Sequence, residues 1–130
     1  MMPAGIYYIG DLCYVMSDER WEELCDLIMP NFSVTDGEFL FKDGVRFAPL
    51  STFYGDGVYE DQVGHQYPVD SGSIGCILLS DIEPEHFDGI ANGRVVMFLT
   101  PFEPCDVSGT LKFGDIAIET NDTEPDEEED

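Results

Sequence analysis

The sequence predicts an α+β fold, mostly β: a strongly bent antiparallel sheet or small barrel-like roll with one main helix packed on it. Three observations carry this. Only one stretch of the 130 residues repeats its apolar positions at helical spacing. Runs of β-branched and aromatic residues, bounded by Gly- and Asp-containing turns, fill the rest. Those runs follow one another at short intervals, which suits hairpins better than crossovers.

Gly5-Ile-Tyr-Tyr-Ile9 reads as a first strand, punctuated by Gly10-Asp11, with Leu12 to Met16 as its continuation. The helix follows. Ser17 stands at its N-cap, and Asp18 and Glu19 occupy the first turn, where the helix dipole favours anions. Trp21, Leu24, Cys25 and Ile28 form one apolar stripe, and Pro30-Asn31 ends the element. Phe39–Lys42 and Val45–Ala48 flank Asp43-Gly44, the signature of a two-residue hairpin with a type I′ turn. Leu50–Tyr54 and Val58–Glu60 flank Gly55-Asp56-Gly57 as a second hairpin, and Tyr67–Val69 pairs back across Asp61–Gly64. Asp70–Ser73 is a turn leading into Ser73–Ser80, whose apolar run marks a central strand buried on both faces. Pro84–Phe87 makes one helical turn, Arg94–Leu99 a strand, and Pro101–Ser108 a loop. Thr110–Phe113 and Asp115–Glu119 close the fold as a hairpin around Gly114. Residues 1–119 therefore form one domain, and 120–130 a solvated acidic tail.

Charge narrows the function. The chain has 28 Asp and Glu against five Lys and Arg, a formal net charge of −23. Residues 121–130 hold seven of the acids; without them the body still carries 21 against five, a net of −16. Such self-repulsion opposes compaction, so it calls for a return in binding or solubility. Phosphate backbones and anionic membrane surfaces are disfavoured as partners, and a basic protein surface or a cation is favoured. A high-salt origin is the bland alternative; four Ala against nine Ile speak against it. No apolar run reaches the roughly 18 residues of a membrane span, and no secretion signal is evident, so a cytoplasmic location is expected.

The helix face opposite the apolar stripe carries Glu19, Glu22, Glu23 and Asp26 at i, i+3, i+4 and i+7. Like charges so placed lie about 5–6 Å apart and repel. With only Arg20 nearby to balance it, the row is a candidate surface for imitating nucleic-acid phosphates. Asp56, Glu60 and Asp61 are the lesser candidates. A β-rich small-ligand or cation-binding module using Gly55–Asp61 and Asp70–Ser73 is the alternative, although the spacing is not that of an EF-hand loop and no metal ligand set is assigned. Cys13, Cys25, Cys76 and Cys105 form no CxxC pair; Cys25 and Cys76 read as small core residues. Cys13 with His65 or His86 sketches a Cys-His hydrolase, but no nucleophile motif surrounds Cys13 and both histidines fall in predicted turns. A non-enzymatic protein without a cofactor is expected. Phe53, Tyr54, Tyr59 and Tyr67 are candidate aromatic anchors should any of them project.

Tyr7-Tyr-Ile-Gly-Asp-Leu-Cys-Tyr-Val15, Tyr54-Gly-Asp-Gly57 and Val69-Asp-Ser-Gly-Ser-Ile-Gly75 resemble segments of a group of small phage and bacterial proteins with no known activity. The resemblance implies a phage setting, in which small acidic proteins that block host defences are common. It carries no functional residue across. Gly10, Gly57 and Asp11 in these segments also suit turns and a cap. The expectation is an inhibitor that mimics DNA charge and blocks a basic, nucleic-acid-binding host protein.

Overall fold

A computed structural model describes residues 2–28, 38–41, 43–52 and 56–120. The α+β, mostly β class holds, but the strands form two antiparallel five-stranded sheets and neither closes into a roll. The first sheet has the order β2 (Phe39–Leu40), β3 (Arg46–Ser51), β6 (Ser73–Leu78), β1 (Gly5–Gly10), β7 (Gly93–Phe98). The second runs β5 (Gln66–Val69), β4 (Gly57–Asp61), β10 (Ile116–Glu119), β9 (Thr110–Phe113), β8 (Cys105–Val107).

Strand alternation explains the layering. Tyr7 and Ile9 of β1 face the second sheet and join Leu50, Tyr59, Tyr67, Ile74, Leu111, Phe113 and Ile118 in the larger core. Tyr8 points the other way, into a second core with Leu12, Val15, Leu24, Phe47 and Ile77. The helix α1 (Asp18–Ile28) covers that face through fully buried Leu24, with Trp21 and Leu27 beside it. The first sheet is thus the middle of three layers. That is why β6 is buried from Ser73 to Ile77 and reads as a continuous apolar run.

Ser17 caps α1 as expected: its Oγ accepts from Arg20 N–H at 3.1 Å. Pairing of β4 with β5 and the β9–β10 hairpin also follow the sequence pattern. Five expectations are corrected. Leu12–Val15 is a 3₁₀ turn rather than strand, because Asp11 caps it by accepting from Cys13 N–H at 3.0 Å. The hairpin between β2 and β3 pairs Phe41 N–H with the Val45 carbonyl and Gly44 N–H with the Phe41 carbonyl. Asp43-Gly44 is therefore not a two-residue turn; Gly44 instead ends a longer one at φ +91°, where a side chain would be strained. Leu50–Ser51 and Val58–Glu60 do not pair as a hairpin: β3 and β4 belong to different sheets. Cys105–Val107, expected in a loop, is edge strand β8 paired to β9. Thr120, assigned to the tail, is buried and bonds Gly109 through its N–H and hydroxyl. The helix end at Pro30-Asn31, the strand end Phe53–Gly55 and the tail 121–130 lie outside the described residues.

A glycine row crosses the middle sheet: Gly10 pairs with Gly75 on one side and Gly93 on the other. The row makes room for the Tyr8 ring and for Leu12, which fold back over it. In Gly93→Ala the new Cβ would run into the Ile9 carbonyl oxygen and the Tyr8 ring. This variant should lose about 1–3 kcal/mol of stability, read as a lower urea midpoint. An unchanged midpoint would show that the sheet accommodates the methyl.

Candidate functional site

The helix α1 presents its acidic row to solvent. Glu19, Glu22 and Asp26 are exposed and Glu23 is half-buried. Among the described residues no ion pair holds Glu19, Glu22 or Asp26. Arg20, on the flank, is already committed. Its guanidinium makes two bonds to Asp43, at 3.1 and 2.8 Å, and stacks 4.2 Å from the centre of the Phe41 ring. It lies 3.9 Å from Glu23.

Tertiary structure enlarges the row. Asp43 comes from the β2–β3 turn, and Glu83 from the segment after β6. With Ser17, Glu19, Arg20 and Glu23 they line a shallow depression of about 300 Å³. A second depression, about 350 Å³, is lined by Glu19, Glu22, Glu23, Asp26 and Leu27. Nearby, burial and the charge of Asp43 push the Asp81 carboxyl up, with Arg20 opposing.

The three lesser candidates divide. Glu60 is exposed on the second sheet, the layer that the first sheet separates from α1, and Asp56 is exposed in the bend just before β4. They do not extend the helix row, and Glu60 accepts from Gln66 Nε2 at 3.3 Å. Asp61 is a correction: its side chain has no exposure and offers no charge to a partner. It accepts from Tyr67 Oη at 2.7 Å, Arg94 Nη1 at 2.9 Å and the N–H groups of His65 and Val63. Burial alone would raise its carboxyl, but these bonds outweigh it and the net shift is downward. Since Asp61 ends β4 and Arg94 lies on β7, the pair staples one sheet to the other.

The loops of the alternative reading are also committed internally. Buried Asp11 accepts from Asp70 N–H and Ser71 N–H at 2.7 Å each, and from Ser71 Oγ at 2.8 Å. Asp11 and the Asp70–Ser71 turn thus hold the crossover from β5 to β6 in place.

Tyr59 and Tyr67 are buried core rather than anchors, and Phe53 and Tyr54 lie outside the described residues. Exposed apolar side chains that sequence reasoning missed include a group at the β7 edge: Val95, Met97 and Leu99, with Ile6 opposite Met97. Their alternation with inward Val96 and Phe98 was legible; the edge position of the strand was not. Burial and the Asp11 carboxylate push the Cys13 thiol up, opposite to thiolate activation. Cys76 is core as expected, while Cys25 is only half-buried. The two histidines, placed in turns by the sequence, are each half-buried. His65 bonds the Gly93 carbonyl at 2.8 Å, and His86 lies beside Glu83 and Glu85.

Fold and site together define a three-layered, acidic α+β protein whose most distinctive surface is a helical row of carboxylates. No protein-family model, curated protein or solved structure matches the chain. Among the described residues no helix is long and apolar enough to cross a membrane.

Proposed function

We propose that this chain is a non-enzymatic acidic binding protein that sets carboxylates where a basic partner expects phosphates. It acts as an inhibitor of the phage type on a nucleic-acid-binding host protein, in the host cytoplasm. The observation that carries the proposal is the row Glu19, Glu22, Glu23, Asp26 on a helix anchored to the core by Leu24. Seven residues at 1.5 Å rise place these four acids over about 10 Å, near one per 3.5 Å. One strand of duplex DNA carries a phosphate about every 3.4 Å. Glu83 adds charge beside the row, while the charge of Asp43 is offset by its ion pair with Arg20.

Charge pairing of this kind speeds encounter and weakens with salt. The test is affinity capture from host lysate at low and high salt, with the retained protein identified and then challenged with duplex DNA. A basic nucleic-acid-binding protein should be held at low salt and displaced by DNA. The double reversal E22K/E23K should weaken its binding by at least about tenfold while leaving the melting temperature close to the parent's. A salt-independent affinity would reject the phosphate-mimic reading. An unchanged affinity in the double variant would remove α1 from it.

A further inference from the structure

We propose that Glu83, Glu85 and His86 form a binding site for a divalent transition metal ion of borderline softness, with zinc the type case. The site rests on three observations that are independent of the acidic helix.

The first is local geometry. Glu83 is extended (φ −65°, ψ 137°), as a residue before proline prefers, and Pro84 opens the 3₁₀ segment Pro84–Asn92. Three residues per turn bring positions i and i+3 into line, so Glu83 and His86 share one side. His86 N–H donates to the Glu83 carbonyl at 2.8 Å and locks that register.

The second is the spacing of donor atoms. His86 Nε2 lies 3.7 Å from Glu83 Oε1 and 3.9 Å from Glu85 Oε2. All three ligand atoms fall within 4.8 Å of one another. Such separations are too long for hydrogen bonds. The 3.7 and 3.9 Å separations lie within the span of one ion bound at about 2.0–2.2 Å by each donor, and the exposed carboxylates can rotate to close any wider gap.

The third is an unmet requirement. Nε2 of His86 is buried and has no hydrogen-bond partner among the described residues. A buried ring nitrogen without a partner is unfavourable. A cation seated between it and the two carboxylates would satisfy the nitrogen and offset both negative charges. The His86 side chain is 25% exposed, whereas Glu83 and Glu85 are 58% and 77% exposed, so the carboxylate side leaves an open approach. An imidazole in the ligand set selects against calcium and magnesium, which take oxygen donors.

Zinc titrated into the chelator-treated full chain should bind saturably by calorimetry and shift the His86 ring resonances. Calcium over the same range should do neither. His86→Asn and Glu85→Gln should each weaken zinc binding by at least about tenfold, while E22Q/E23Q, which removes only helix carboxylates, should leave it unchanged. Absence of saturable zinc binding, a zinc affinity unmoved by His86→Asn, or calcium bound as tightly as zinc would each overturn the site. Should either variant unfold, the His86 ring shift in the parent chain decides the matter alone.

Discussion

Asp11→Ala is expected to lower the free energy of unfolding by about 3–5 kcal/mol, more than any surface charge change in this chain. Asp11 has no exposure, and both its oxygens are in use. Oδ1 accepts from Cys13 N–H and Ser71 Oγ, and Oδ2 from the N–H groups of Asp70 and Ser71. Truncation removes the acceptor from four donors at once, three of them backbone groups. The loop concerned links β5 to β6 and carries the chain from one sheet to the other. Urea denaturation of Asp11→Ala beside the parent reads the effect directly. A loss under about 1 kcal/mol would mean that water replaces the carboxylate without penalty. Ser71→Ala removes the hydroxyl's bonds to Asp11 and Ser73, leaves the backbone bonds in place, and should fall near 1 kcal/mol.

The second large effect is at Asp61. Asp61→Asn is expected to cost about 3 kcal/mol, near the low end for breaking a buried ion pair. The low end applies because the Arg94 side chain is 34% exposed and can turn partly to water once its partner is neutral. Loss of the charge also weakens the bonds from Tyr67 and from the His65 and Val63 N–H groups. The pH dependence has a defined sign. The folded-state carboxyl lies below its ordinary value, so its contribution is present above an unfolded pKa of about 3.9 and lost as pH falls through the folded value. Acid acts oppositely on the rest of the chain, since protonating exposed carboxylates relieves repulsion. The difference between parent and Asp61→Asn isolates the pair: it should be largest near neutral pH and shrink below about pH 4. A difference that stays constant down to pH 2 would show that Asp61 is not charged in the folded chain.

These two carboxylates sharpen the reading of the surface. Asp11 and Asp61 are withdrawn into structural bonds, whereas Glu19, Glu22 and Asp26 of the row on α1 are exposed. Variants of the first kind should change stability, and E22K/E23K should change binding. An Asp61→Asn chain that binds a basic partner as the parent does, at a temperature where it stays folded, would separate the two roles.

Much of the fold was legible because its causes are local. Ser17 caps α1, Gly114 turns the closing hairpin, and the unbroken apolar run from Ile74 to Leu78 marks a strand covered on both faces. The errors arose where a local pattern has two solutions. Leu12–Val15 is apolar and strand-like, yet a single carboxylate on Asp11 turns it into a 3₁₀ cap. Residues 50–60 alternate like a hairpin, yet Pro49, Leu50 and Ser51 pair with β6 while Gly57–Glu60 pair with β5. Composition cannot distinguish a hairpin turn from a crossing between sheets, because both need Gly and polar residues. The candidate site divides in the same way. Glu19, Glu22, Glu23 and Asp26 could be aligned from helical period alone, whereas Asp61 looked like its exposed neighbour Glu60 until strand alternation turned it inward.

The sequence by itself determined the charge, the mostly β class, the helix with its two faces, and the spacing of four carboxylates along that helix. Each is a property of composition or of residues within two helical turns. Only the tertiary structure decided which acids remain on the surface. Asp11 meets its partners 59 and 60 residues away, and Asp61 meets Arg94 across 33. It also brought Asp43 and Glu83 beside α1. Contacts over such separations depend on the order of strands in two sheets, and strand order is set by how the whole core packs rather than by any one segment.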